Sequence, residues 1–385
     1  MTFHRGPAWL LTRYHDVADA FRDEARLPSA AAYRLHSEPV QGRTLQCMDG
    51  EEHRVNRALV APAFRATMLP RYVEPILEPV AHRLVDELAH GGTADLVADF
   101  TKRFPFAVIT RLLGLPPTDD AHLHRWALGL VNFPWDPQGA LAASGEFTRY
   151  LAPLVAKRRH TPGDDLLSRL ATTEVEGQRL SNEEIFSFVR LLFPAGADTT
   201  YLGLGNLLLA LLTHPDVMAR VVANPARRAQ AIEEGLRWET PVAILPRRSA
   251  TDVQIGDETI PADATVLFAI TAANRDPAQF PDPDRFDLDR FDLDRFDLDR
   301  KPAGILTFGL GVHFCLGSHL ARAEIAVALD VVLERLPNLR LVEGREPTRV
   351  VGSVLRGPNA LPVAFDTRVQ RRRRGEKREE VVDAG

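Results

Sequence analysis

The residues able to do chemistry gather in two short runs. The first is Phe308-Gly-Leu-Gly-Val-His-Phe-Cys315-Leu-Gly317, rich in glycine and holding one of only two cysteines in the chain. An amphipathic pattern follows it directly, which places the thiol at a helix N-terminus. Unpaired N–H groups and the helix dipole favour a thiolate there. Buried among Phe308, Leu310, Phe314 and Leu316, such a thiolate is a poor general nucleophile and a good soft metal ligand. The plainer reading of a lone cysteine is an inert core thiol, and Cys47 fits that reading. The second run is Ala195-Gly-Ala-Asp198-Thr199-Thr200. An acid next to an alcohol is ordinary on a solvated helix, but here it follows Pro194 in a mostly apolar stretch. The Thr199 hydroxyl is spaced to bond the Ala195 carbonyl four residues back.

These runs need rigid elements to hold them. Ser181-Asn-Glu-Glu184 is a capping box that opens a long helix, and Pro215 closes it after His214. A helix over 181–214 is about 50 Å long, enough to cross a whole domain. Pro194 has no N–H for the Arg190 carbonyl, so a kink is expected there. Helical periodicity also covers 14–26, 52–65, 72–90, 104–113, 122–130, 144–159, 216–223 and 226–239. Short strand signals lie near 8–12, 252–256, 265–269, 339–342 and 361–365, with Gly256-Asp257 as a hairpin turn. The fold class is therefore mainly α with small β-sheets, not an alternating βαβ pattern.

With 385 residues the chain can bury a large core, and no Gly/Ser- or Pro-rich linker divides it. One large domain over 1–366 is expected, followed by a charged, disordered tail over 367–385 that contains Arg371–Arg374. A net charge of −5 argues against a nucleic-acid binder. Two cysteines suit a reducing cytoplasm. The N-terminus has no apolar signal region or membrane anchor. The pentapeptide Phe-Asp-Leu-Asp-Arg stands three times in tandem over 286–300 and reads as a duplication in a surface segment.

The cysteine run, continuing as Leu320-Ala-Arg-Ala-Glu324, resembles the haem-ligand loop of the cytochrome P-450 family, of the soluble bacterial kind. Further matches follow in the same order as in that family, from about residue 8 to about 366, although the N-terminus is short for it. The Asp198-Thr199 run resembles the oxygen-binding helix motif, where acid and alcohol organise water and deliver protons as catalytic residues. Glu234 and Arg237 resemble the family's structural ion pair. The resemblance implies a single haem b, held between the long helix and the cysteine-loop helix, with Cys315 as axial ligand of the iron. It assigns His53, Arg57, Arg247 and His313 to the haem propionates, with Arg248 beside Arg247 leaving that register open. It also places Phe308, Gly309 and Ala195 against the cofactor. Leu191, Leu192, Val242, Ala243, Ile244, Leu245 and Val354 are then expected to line the substrate pocket, which suggests an apolar substrate.

The implied activity is a haem-thiolate monooxygenase that uses O2 to hydroxylate or epoxidise a small organic substrate, in bacterial secondary metabolism or in catabolism. Its electrons would come from NAD(P)H through a ferredoxin and a ferredoxin reductase. No dinucleotide-binding glycine fingerprint follows a strand, so the reductase is expected as a separate chain. Arg54, Arg65 and Arg322 are candidate contacts for an acidic ferredoxin. The alternatives are a peroxide-driven peroxygenase, a haem-dependent rearrangement catalyst, and a haem-binding sensor or carrier without turnover.

Overall fold

The computed structural model describes residues 2–3, 6–116, 120–133, 135–291, 304–344 and 348–367. The principal helices are α1 (Tyr14–Arg22), α2 (Ser29–His36), α3 (Gly50–Val60), α4 (Glu78–Leu88), α5 (Arg103–Leu112), α6 (Asp120–Val131), α7 (Pro137–His160), α8 (Asn182–Thr213), α9 (Arg228–Trp238) and α10 (Ser318–Arg335). α8 is the axis of the molecule, with α5, α6, α7, α9 and α10 packed around it. Its capping box forms: the Ser181 hydroxyl accepts from the Glu184 amide and the Glu184 carboxylate accepts from the Ser181 amide. The helix continues through Pro194 to Thr213. α9 lies so close to it that a Cβ on Gly235 would stand 2.8 Å from Leu207 Cδ1. Burial of apolar side chains such as Phe104, Phe147 and Phe193 drives this packing.

The sheets are small and lie beside the helices. β1 (Gly6–Leu11), β2 (Ile244–Arg248) and β3 (Thr265–Ala269) join in one sheet, with Thr2–Phe3 at its edge. β3 runs parallel to β1 and antiparallel to β2, pairing Ala8 with Thr265 and Arg247 with Val266. The expected hairpin pairs Val253–Ile255 with Glu258–Ile260.

Several local expectations change. α7 starts at Pro137, seven residues before the apolar pattern, because Asp136 accepts the Gly139 amide (2.9 Å) as an N-cap and Pro137 fits the first turn. α2 has alanine-rich propensity but no clear apolar stripe, so periodicity missed it. β2 contains Pro246 and two arginines, so it did not read as a strand. Proline is tolerated because β2 is an edge strand that pairs with β3 alone. The first copy of the repeat is not a surface segment. Phe286 and Leu288 are buried, Asp289 pairs with Arg220 (2.8 Å) and with Arg227 (2.5 Å), and Arg290 pairs with Glu234. The residues of the later copies beyond Phe291, and the tail from 368, lie outside the described residues. No single helix among the described residues is long and apolar enough to cross a membrane.

Candidate active site

The cysteine loop is held by its backbone. Gly309 and Gly311 have φ of 68° and 72°, and a Cβ on Gly311 would stand 2.7 Å from the Phe21 carbonyl oxygen. Only glycine combines that conformation with that approach. The Cys315 amide donates to the Phe308 carbonyl at 2.9 Å, and α10 begins three residues later. The loop thus turns its backbone toward α1. Cys315, expected to be buried, is exposed together with Val312 and Phe314. Protein still surrounds the thiol on most sides, and this burial pushes its pKa up. The Gly317 amide, Arg57 and Arg322 pull it down but do not prevail, so the helix end alone does not favour the thiolate. A bound cation would complete the deprotonation, since coordinated thiols lose their proton outright.

A cluster of cations adjoins the loop. His53 and Arg57 share a face of α3, and the His53 ring lies 4.2 Å from that of His313. Arg57 Nη2 donates to the Phe314 carbonyl at 2.6 Å, tying α3 to the residue before the cysteine. Arg247, on β2, is buried with its guanidinium over Phe21 (5.7 Å) and Phe268 (5.2 Å). Burial, then His313 and Arg57, push the His53 pKa down to about 4. Burial also lowers Arg57. Arg247, not Arg248, turns inward: Arg248 bonds the exposed Asp263. Two buried nitrogens, His53 Nε2 and Arg247 Nε, have no partner among the described residues. Such orphans need an explanation. Crowded cations with unused nitrogens fit an anionic group, and the carboxylates of haem b are of that kind. Among the described residues no group of three or more His, Cys, Asp or Glu gathers as a metal site. Cys315 would therefore act as a single protein ligand.

Two residues of this cluster were not found from the sequence. Glu24 accepts from His313 Nε2 at 3.2 Å. Burial opposes its ionisation, but His313, the Ser29 amide and Arg247 outweigh it and lower its pKa. Tyr33, on α2, stands beside Arg247; burial pushes its phenol up and Arg247 partly offsets that. Neither lies in a recognisable motif, and only the packing of α2 against β2 brings Tyr33 to Arg247.

The acid–alcohol pair lies at the middle of α8. Thr199 Oγ1 donates to the Ala195 carbonyl at 2.7 Å, and Ala195 is exposed although most of the helix is buried. Burial pushes the Asp198 pKa up to about 6, and Lys102 partly opposes it. Of the expected pocket residues, Ala243 is buried, Leu191, Leu192, Val242 and Ile244 are half-buried, and Val354 is exposed. The Ala243 amide donates to the Val354 carbonyl at 2.7 Å, and Val242 bridges Leu355, so these two segments meet. Leu355, also exposed, was not found from the sequence. A surface cavity of about 340 Å³ at the end of α8, lined by His214, Arg220 and Asp287 among others, contains none of these residues.

Glu234 and Arg237 form a fully buried bidentate pair at 2.7 and 2.8 Å. Arg237 also donates to the carbonyls of Asn274, Pro283 and Arg285, and Glu234 accepts the Asp287 amide. The pair fastens α9 to the segment that precedes the cysteine loop. The three candidate docking arginines differ. Arg54 pairs with Glu51 (2.6 Å) and Glu176 (2.9 Å), and Arg322 pairs with Glu233 and lies over Phe308. Arg65 is exposed.

The cytochrome P450 family model matches residues 137–227 and 229–358. Cytochrome P450 107B1 of Saccharopolyspora erythraea is 37% identical over 372 residues, 92% of this chain and 89% of its own. Mycinamicin IV hydroxylase/epoxidase of Micromonospora griseorubida is 37% identical over 370 residues, 93% of this chain and 89% of its own. The solved structure of the Bacillus subtilis bacillaene polyketide synthase cytochrome P450 PksS superposes with a TM-score of 0.85 at 31% identity, covering 94% of this chain and 91% of that one. The chain belongs to the cytochrome P450 family and is a P450 monooxygenase with haem b as its cofactor.

Proposed function

We propose that this P450 monooxygenase hydroxylates or epoxidises a largely apolar organic substrate in bacterial secondary metabolism. Relatives named as a mycinamicin IV hydroxylase/epoxidase and as the cytochrome P450 of a bacillaene polyketide synthase support that setting. The observation that carries the site assignment is the Arg57 bond to the Phe314 carbonyl, which joins the cation cluster to the loop of the exposed Cys315 thiol. In this reading Cys315 ligates the haem iron. His53, Arg57, Arg247 and His313 would hold the propionates, and Phe308, Gly309 and Ala195 would lie against the ring. The cofactor supplies the chemistry that activates dioxygen.

The protein's own groups position and protonate. Thr199 holds its hydroxyl at the middle of α8 through its bond to the Ala195 carbonyl. Asp198, with a pKa of about 6, carries and replaces protons near neutral pH. This pair favours a dioxygen-dependent enzyme over a peroxygenase or a carrier, which have no use for it. Leu191, Leu192, Val242, Ala243, Ile244, Val354 and Leu355 supply an apolar wall for the substrate. Electrons reach the enzyme in the cytoplasm from NAD(P)H through a reductase and a ferredoxin. The ferredoxin docks on the cysteine side, where Arg65 and the exposed Val312 and Phe314 are available.

The test is the absorption spectrum of the purified, reduced protein under carbon monoxide. A red-shifted Soret band of the thiolate-ligated type supports ligation by Cys315. A blue-shifted band, or none, withdraws that assignment. Replacement of Thr199 by alanine should then uncouple oxygen consumption from product. Unchanged coupling removes the proton-delivery role.

A further inference from the structure

We propose that Lys102 and Tyr201 form the solvent end of the proton route to Asp198, an inference that rests on the proton-delivery role of the Asp198–Thr199 pair. The route is built by an irregular turn. Val97–Thr101 is a π-helical turn that leads into α5, and it packs on α8. Thr101 Oγ1 lies in ordinary contact range of Gly205 on α8, 4.0 Å from where a Cβ would stand. The next residue, Lys102, is exposed, and its ammonium lies 5.7 Å from the centre of the Tyr201 ring. Tyr201 is three residues beyond Asp198, so both project from one face of α8. Both side chains are half-buried. An exposed amine thus stands against a half-buried phenol that shares a helix face with a half-buried carboxyl.

The electrostatics follow the same line. Lys102 acts on Asp198 and opposes the effect of burial, while Asp198 adds to the burial that raises Tyr201. Other charged groups nearby are engaged elsewhere. Asp99 accepts the Asp95 amide (3.0 Å), Arg103 pairs with Glu87 (2.7 Å) and Arg356 pairs with Glu239 (2.7 Å). The Glu234–Arg237 pair is closed on itself, on Arg290 and on backbone groups. Glu324 of α10 is buried with Oε2 unpartnered, and burial pushes its pKa well up. A carboxyl that gives a proton to the Thr199 side needs one back from water, and no bond other than O–H changes in that exchange. Lys102 keeps the Asp198 carboxyl within reach of neutral pH, and the Tyr201 hydroxyl bridges toward solvent.

The bland alternative is a surface lysine resting on an aromatic ring and nothing more. The two differ in a titration. In the haem-loaded, substrate-free protein, the Asp198 carboxyl band in the infrared, assigned by its loss in Asp198→Asn, is followed against pH. Lys102→Met should raise its midpoint by roughly half a unit or more, and Lys102→Arg should restore it. Tyr201→Phe should enlarge the solvent isotope effect on coupled turnover by about twofold or more, with little change in thermal stability. An unmoved midpoint in Lys102→Met overturns the proposal. So does a moved midpoint with normal coupling in that variant while Thr199→Ala uncouples; that result leaves the acid–alcohol reading standing. Normal coupling in Thr199→Ala overturns both.

Discussion

Two buried clusters of charge flank the cysteine loop, and they are finished to different degrees. In the Glu234–Arg237 clamp every charged group is answered: the pair bonds bidentately, and its remaining donors and acceptors reach backbone groups and Arg290. In the His53–Arg57–Arg247–His313 cluster two buried nitrogens go unanswered, and like-charged groups crowd one another. A satisfied network within the protein is architecture. An unsatisfied one, in which Glu24 is the acid that faces several cations, is a site shaped for something the chain does not supply, because leaving buried polar groups unpaired costs about 1–3 kcal/mol each. Asp198 belongs with the second kind: among the described residues Lys102 is what opposes the effect of its burial.

The comparison breaks most visibly at the clamp. Arg237→Ala strips the buried Glu234 of its bidentate partner and leaves it Arg290 alone at 3.2 Å, and denaturant unfolding should show a loss of about 3 kcal/mol or more, or failure to fold. Arg247→Leu should spare the fold and weaken cofactor retention. Haem transfer to an acceptor protein should run about tenfold to a hundredfold faster, corresponding to a charged hydrogen bond of about 1.5–3 kcal/mol.

The pH dependences sharpen the contrast. His53 has a folded pKa of about 4 against an ordinary 6.5, so the unfolded chain takes up the proton first as pH falls. Stability is therefore full above 6.5 and declines toward 4, by up to about 3 kcal/mol. His53→Gln should flatten that decline in unfolding curves between those pH values. The loaded protein should show less of it, since a propionate would raise the His53 pKa. Asp198 has the opposite sense. Its pKa of about 6 lies above the ordinary 3.8, so its ionised form penalises the fold above 6 and the penalty fades as pH falls toward 3.8. Asp198→Asn should stabilise the protein by about 1–3 kcal/mol at pH 7 and by little near pH 4.

The smallest effects are at the surface. Arg65→Glu should slow reduction by a ferredoxin by up to about fivefold at low salt, as suits an exposed pair of under 1 kcal/mol. Arg54→Glu should do less, because Arg54 is already committed to Glu51 and Glu176. Stopped-flow reduction at two ionic strengths measures both.

What could be read ahead of the structure had local causes. The Phe308–Gly317 run needs glycines where φ is positive and where α1 approaches, so its spacing is a physical requirement visible in one dimension. The capping box of α8 and the Ala195–Thr199 back-bond are likewise set by residues three and four apart. The misreadings had distant causes. β2 becomes a strand only because β3 is laid beside it. Phe286 reads as a loop residue in a repeat, yet it is buried against His214 and Trp238.

The sequence alone determined the fold class, the thiol as the candidate ligand, and the order of acid, alcohol and cations along the chain, since each rests on short-range geometry. Tertiary structure alone decided that Arg247 rather than Arg248 turns inward, and that Glu24 and Tyr33 pack beside His313 and Arg247. Those outcomes depend on which surfaces meet across hundreds of residues. Burial and the pKa values it shifts are properties of that meeting, not of any residue or its neighbours in the chain.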